Sequence, residues 1–435
     1  MSTSAPPSTA LESALRKLLG DALGPGDDEH AVDGLTPHFV ATPSSVEQLA
    51  AVVAAANEAG AGVIPWGGGQ HMALGNIPTR YDVALRTTKL DQVLEYEPTD
   101  LVVTVEAGIT LGRLQALLAE HGQFLPIDAP AAATIGGVLA AGISGPSRHA
   151  YGLPRDWLLG CRVVLADGTI VKGGGRVVKN VAGYDLPKLA VGSLGTLGVI
   201  VEATFKVSPL PAVQETLVVS CPSLQAAVDA VFAADDRGLA LRAVAVVDDQ
   251  LVATLPGVLE GILAAYWLAG PRTAVERTAR EMAELAGSAE TRRLEGEELE
   301  RFWAGLSAAS AGPTDGVALS ASLPPSAIGD FVELLASLRQ AESAPASSLA
   351  YPTTGIVLAR LDAVPDEQPI KTIEQARHAA VEAGGSLIVT AAPVAIKQHL
   401  DVWGDTGTAL PLSRRLKDQF DPRGTLNPGR FVGGL

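Results

Sequence analysis

Apolar positions recur with helical spacing at Leu11, Leu15, Leu18 and Leu19, predicting a helix over 11–23 behind a leader rich in Ser, Thr and Pro. Pro43-Ser44-Ser45-Val46-Glu47 has the form of a capping box, Ser44 taking the Glu47 amide and Glu47 reaching back, and opens a helix from Val46 that Gly60 stops. Short runs at 62–65, 82–86, 101–107 and 199–207 read as buried strands. Thr110 caps a helix whose stripe is Leu111, Leu114, Leu117 and Leu118, ended by Gly122. Residues 161–171 read as a hairpin turning at Asp167-Gly168. Beyond Ser208-Pro209-Leu210-Pro211 the pattern changes to a repeated unit of strand, Pro break and helix: 215–220 before a helix through Phe232, 262–268 before 273–285, and 317–323 before 328–338. Strands at 355–361 and 386–390 and a helix at 373–383 come next, and Arg414 to Leu435 reads as turns. This repetition predicts an antiparallel sheet covered by helices.

The pattern divides the 435 residues into a leader and helix (1–34), a first domain (35–210), a second (211–411) and a tail (412–435). A net charge of −16 with no basic run argues against nucleic-acid binding. No apolar window is long enough to span a bilayer, and the N-terminus lacks a basic segment ahead of an apolar one, so a cytoplasmic protein meeting membranes only through a partner is expected. Cys161 and Cys221 stand far apart, which leaves no cysteine cluster for iron–sulfur or zinc binding.

Candidate chemistry lies in three glycine-rich segments. The first, Pro65-Trp66-Gly67-Gly68-Gly69-Gln70-His71, follows a strand and can close backbone amides on an anion such as a diphosphate; a flexible turn is the plainer reading. The spacing is neither that of a P-loop nor Gly-x-Gly-x-x-Gly. The second runs from Asp128 through Thr134, Gly136 and Gly137 to Gly142, Ser144 and Gly145, where tight helix packing is the alternative. The third contains Gly195, Gly198, Val199 and Ile200 and also reads as a compact loop. Three such segments in this order, each beside a strand, point to one extended ligand.

Their order resembles the FAD-binding domain of the vanillyl-alcohol oxidase/p-cresol methylhydroxylase superfamily. That resemblance implies an α+β chain: a two-subdomain FAD-binding domain of the p-cresol methylhydroxylase type, plus an α+β cap domain with an antiparallel sheet. It places Trp66 to His71 around the diphosphate, 134–137 and 142–145 along diphosphate and flavin, 192–200 beside ribose and adenine, and the Asn427-Pro428-Gly429-Arg430 tail on the flavin side. Within the superfamily, Gly145-Pro146-Ser147-Arg148, Tyr151-Gly152, Arg155-Asp156 and the 179–185 segment resemble the FAD-binding E subunits of bacterial glycolate oxidases (glycolate dehydrogenases). Such enzymes also contain a paralogous FAD subunit and an iron–sulfur subunit. Some superfamily members attach FAD to a loop histidine; here Gln70 takes that place and His71 comes one residue later, so noncovalent FAD is expected.

Oxidising a 2-hydroxy acid needs a base, and a cation for the carboxylate. Catalytic relatives carry a late Gly-Asp-Gly-Asn-x-His segment, often with a metal; the counterpart here, Trp403-Gly404-Asp405-Thr406-Gly407, lacks the Asn and His. His378 and His399 lack metal-ligand spacing, and no metal is expected. Arg148 and Tyr184 are the candidate catalytic groups, with ring packing or an ion pair to Asp185 as the structural alternative. The expected function is that of an FAD subunit of a multi-subunit glycolate dehydrogenase, with an assembly or electron-transfer role. A self-sufficient 2-hydroxy-acid dehydrogenase is the alternative, and a non-catalytic scaffold a distant third.

Overall fold

A computed structural model describes residues 9–176, 185–255, 257–310, 316–342, 346–362 and 368–435, which form two compact units. The first comprises residues up to 143, 153–210 and 405–435; the second, 144–152 and 211–404.

The first unit contains two main sheets. One has the strand order Leu23–Pro25, Phe39–Ala41, Val83–Arg86, Val63–Trp66, the last three mutually parallel. Parallel strands are covered on both faces, so their sequence is a continuous apolar run and not an alternating one; Val63, Ile64, Val83, Ala84 and Leu85 are all fully buried. Helix Val46–Glu58 packs Leu49, Val52, Val53 and Ala56 into their core. Its cap lies one residue later than the sequence suggests. Ser45 is still extended (φ −142°) and takes the Gln48 amide, while the Gln48 side chain accepts from Ser44 N and Oγ, both at 3.0 Å. Glu47 is left exposed.

The other sheet is antiparallel, ordered Val93–Glu97, Val102–Glu106, Val199–Lys206, Leu158–Val164, Ile170–Gly174. Strand alternation sends Val103, Val105, Ala203 and Phe205 toward helix Leu111–Ala119, and Val164, Val199 and Val201 toward helix Val46–Glu58. The sheet is therefore packed on both faces.

The turn-rich reading of 414–435 needs correction. Helix Leu410–Phe420 occupies its start, with Pro411 in the first turn, where a missing N–H costs nothing. Lys417 turns inward, and its Nζ donates to Thr196 O (2.9 Å), Leu426 O (2.8 Å) and Asp421 Oδ2 (2.7 Å). Asp421 also accepts from the Thr425 and Leu426 amides. The chain then runs beside Val63, which donates to Thr425 O and accepts from Asn427 N.

The second unit is built on an eight-stranded, wholly antiparallel sheet, ordered Thr291–Leu294, Val213–Cys221, Ile262–Gly270, Leu241–Val247, Ala346–Tyr351, Ile356–Leu361, Val317–Ser322, Ser386–Ala391. Leu217 and Val219 face the helices Leu224–Asp235 and Arg272–Ala286, while Val218 faces Phe302, Trp303 and Leu306 of helix Gly296–Ser310. The strand–Pro–helix pattern did not foresee strands Leu241–Val247, Thr291–Leu294 and Ala346–Tyr351, or helix Gly296–Ser310. Apart from Arg242, Leu241–Val247 is a buried run with no Pro break, and periodicity alone does not identify such a run.

Candidate functional site

Strand Val63–Trp66 ends at the edge of its sheet and delivers the chain into Gly67-Gly68-Gly69. A Cβ on Gly67 would sit 2.1 Å from Thr134 Oγ1, and one on Gly68 would sit 2.5 Å from Ala132 O. No side chain fits at either position, so the loop backbone lies directly against the 132–134 segment. Gly69 adopts φ +72°, a left-handed conformation that reverses the loop at no steric cost. Gln70 donates back to Gly68 O at 3.2 Å.

Thr134 is the N-cap of helix Ile135–Ala141 and accepts from Gly137 N at 3.3 Å. Between the two segments lies an open cleft lined by Pro65, Gly67 to Met72, Ala133, Thr134, Gly137, Ala140, Ala141, Leu194, Asn427 and Arg430. Pro65, Gly67, Gly68, Gly69, Gln70, His71, Thr134, Gly137 and Asn427 are thus brought together from three distant parts of the sequence.

Among the described residues, the other proposed ones do not line this cleft. Trp66 tilts against the His30 ring at 5.1 Å. Gly136 packs on Ala107 and donates to its carbonyl at 2.7 Å. Gly142 closes helix Ile135–Ala141, Gly195 sits in the turn beside Pro65, and Gly198 packs against Val163. Val199 and Ile200 are buried in the sheet core, and Asp128 does not line the cleft. Ser144, Gly145 and Arg148 belong to the second unit. Tyr184 lies outside the described residues, and Asp185 pairs with Lys188 at 2.5 Å.

Met72, Leu194 and Arg430 also line the cleft; the sequence reading did not single them out, although the last two lie in segments it placed along the cofactor. Arg430 is buried, and its Nη2 donates to Met72 O and Leu74 O, both at 2.6 Å, while Nη1 reaches Asn427 Oδ1. Asn427 (φ +47°) donates to the carbonyl of Leu194, itself at φ +51°. The signal for Arg430 was its place beside Asn427 in a chain terminus that otherwise had no reason to bury a cation.

His71 gives the cleft its polarity. Nε2 is buried without a partner among the described residues, and burial pushes the imidazole down to about 4, so it is neutral near pH 7. The unshielded glycine backbone and this unmatched ring nitrogen fit a phosphate-bearing group whose oxygens would accept from them. Among the described residues no three His, Cys, Asp or Glu side chains converge as a metal site, and no helix is long and apolar enough to cross a membrane.

Comparison with known proteins agrees with this geometry. Residues 37–174 match the FAD binding domain family, and residues 210–431 match the C-terminal domain of FAD linked oxidases. Glycolate oxidase subunit GlcD of Bacillus subtilis is 28% identical over 420 residues, covering 91% of this chain and 89% of that protein. Glycolate oxidase subunit GlcE of Escherichia coli is 45% identical over 122 residues, 27% of this chain and 35% of that one. A probable mitochondrial D-lactate dehydrogenase of Danio rerio is 34% identical over 230 residues, 52% of this chain and 46% of that one. GlcD apart, the matched stretches span under half the length of these relatives. In fold, p-cresol methylhydroxylase superposes with a TM-score of 0.77 at 16% identity, covering 97% of this chain and 96% of that one. Alkyldihydroxyacetonephosphate synthase gives 0.72 at 19%, covering 99% and 88%.

The cleft geometry makes two outcomes testable. Gly68→Val forces a branched side chain onto the Ala132 carbonyl, and the purified variant is expected to lose its flavin absorbance while remaining folded by circular dichroism; normal flavin content would place the cofactor elsewhere. For His71, the folded value lies below the ordinary value of about 6.5. The associated stability is therefore full above that value and is lost as pH falls from about 6.5 toward 4, by an amount on the order of 3 kcal/mol. Unfolding of the flavin-free protein, compared with His71→Asn across that window, should show the variant losing less stability on acidification; parallel curves would contradict the assignment.

Proposed function

The chain belongs to the FAD-linked oxidases, and from that premise we propose that it is an FAD-binding subunit of a multi-subunit glycolate dehydrogenase. The observation that carries the reading is the cleft around Gly67 to His71, built where the FAD binding domain family matches. The Gly67–His71 backbone with Thr134, Gly137 and Asn427 would hold the cofactor, and its attachment is noncovalent, with Gln70 preceding a buried, neutral His71. FAD, when bound, supplies two-electron oxidation of a carbon–hydrogen bond.

This chain's own residues do the positioning. Arg430 holds the Met72–Leu74 backbone, Asn427 holds the Leu194 turn, and the glycines admit the ligand against bare backbone. The 2-hydroxy-acid substrate class rests on likeness to glycolate oxidase subunits and a probable D-lactate dehydrogenase. A role inside a complex is supported by the 45% identity to a GlcE subunit, and by the Trp403–Gly407 segment, which offers no Asn or His for base or metal chemistry. The proposed partners are a paralogous FAD subunit and an iron–sulfur subunit. The proposed location is the cytoplasm, with any membrane association made through those partners. One observation favours a second reading, that of a self-sufficient FAD-dependent 2-hydroxy-acid dehydrogenase: the GlcD alignment runs over 91% of the chain.

Acid precipitation of the purified chain should release the flavin into the supernatant; flavin remaining in the pellet would overturn noncovalent binding. The isolated, FAD-loaded chain should not reduce an artificial dye with glycolate or D-lactate at an appreciable rate. Turnover near the enzyme median of about 10 per second, abolished by Arg148→Ala, would establish the second reading.

A further inference from the structure

Strand Leu241–Val247 lies inside the eight-stranded sheet of the second unit, and its pairing is irregular. Against Ile262–Gly270, Leu241 pairs with Leu268 and Ala243 with Trp267, which makes Arg242 the extra residue of a β-bulge. A bulge bends its strand and re-aims the side chain it carries. The Arg242 guanidinium comes to lie 4.0 Å from the centroid of the Trp267 ring and 5.7 Å from that of Tyr151. Its Nε donates to Ser147 Oγ at 3.2 Å and its Nη1 to Gln214 Oε1 at 2.9 Å.

Trp267 also stacks on Trp303, with centroids 5.0 Å apart and planes at 20°. The Trp303 indole N–H is satisfied by Thr216 Oγ1 at 2.8 Å. The Trp267 N–H is not: it is buried and has no acceptor among the described residues. Buried donors are nearly always matched, so an unmatched one needs a reason. A planar cation held on an aromatic platform, beside an indole N–H that lacks an acceptor and a serine hydroxyl, is the donor set that a small carboxylate satisfies.

We infer that Arg242 and Trp267, with Ser147 beside them, form the subsite that receives the carboxylate of a small 2-hydroxy acid. This inference rests on the 2-hydroxy-acid reading above and adds to it a substrate contact made by this chain. It also accounts for the local design. Ser147 fastens the Gly145-Pro146-Ser147-Arg148 run to the bulged strand, and His149 secures it further by pairing with Thr353 Oγ1 at 2.8 Å. Arg148, the other candidate cation, is thereby the direct neighbour of a residue held by Arg242.

The test is calorimetric titration of the full-length, FAD-loaded chain with glycolate, D-lactate, ethylene glycol and inorganic phosphate. The two hydroxy acids should bind saturably and ethylene glycol should not. Arg242→Gln should weaken glycolate binding by about tenfold or more, as expected for loss of a charge-assisted hydrogen bond. Arg242→Lys, which keeps the charge without the planar fork, should recover part of the loss. Should Arg242→Gln fail to fold, Trp267→Phe keeps the stack and removes the N–H, and it too should bind glycolate more weakly.

Unchanged glycolate affinity in Arg242→Gln or Trp267→Phe overturns the subsite, as does phosphate binding as tight as glycolate or no binding by the unmodified chain. The parent reading fails on a different result: flavin in the reconstituted complex that no 2-hydroxy acid reduces.

Discussion

One buried ammonium ties the first unit together. Lys417 Nζ reaches the Thr196 carbonyl from the turn before the last strand, the Leu426 carbonyl from the tail, and the Asp421 carboxylate from its own helix end. Burial alone pushes its pKa down, and Asp421 acts in the opposite direction. Breaking such a pair by removing one partner leaves a buried charge uncompensated, at a cost of about 3–5 kcal/mol. The course of the tail beyond Asp421 depends on this anchor. It places Thr425 and Asn427 beside Val63, and so brings Arg430 under the Met72–Leu74 backbone at the rim of the cleft.

The cleft's chemistry reflects the same economy of charge. The net charge is −16, and among the described residues no lysine lines the space between the glycine loop and the 132–134 segment. Arg430 donates to backbone carbonyls and Asn427, and His71 is held neutral by burial. What remains for an anionic ligand is backbone brought close by glycines at which a Cβ would collide with Thr134 and Ala132. In the second unit the arrangement is reversed: a bulge turns a charged side chain, Arg242, onto an aromatic surface.

The glycine loop and the small-residue segment at Thr134 were legible in the sequence because their composition is local, whereas the helix that Thr134 caps was not foreseen. A strand running into three glycines, and a threonine two residues before Gly136, need no knowledge of distant partners. Helix Val46–Glu58 was legible to the residue for the same reason, although its cap moved from Ser44 to Ser45. Strands such as Leu241–Val247 were not, because a run buried at every position but Arg242 has no alternation to read. The partners of Arg430 and Arg242 escaped because they depend on contacts across hundreds of residues in one case and on a single extra residue of strand register in the other. Gly136 and Gly198 pack closely against Ala107 and Val163. Composition does not separate a glycine that admits a ligand from one that admits a neighbouring strand.

If the tail builds the cofactor cleft, loosening it at Arg430 must weaken the cofactor's hold. The most direct measurement is the equilibrium affinity of the flavin-free chain for FAD in Arg430→Gln compared with the unaltered protein, tracked by flavin fluorescence. Arg430→Gln should retain the fold of both units and bind FAD at least about tenfold more weakly, because the Met72–Leu74 backbone loses its charge-assisted hydrogen bonds. Unaltered affinity in a folded variant would contradict the tail's role and would mean that the glycine loop holds its shape without it.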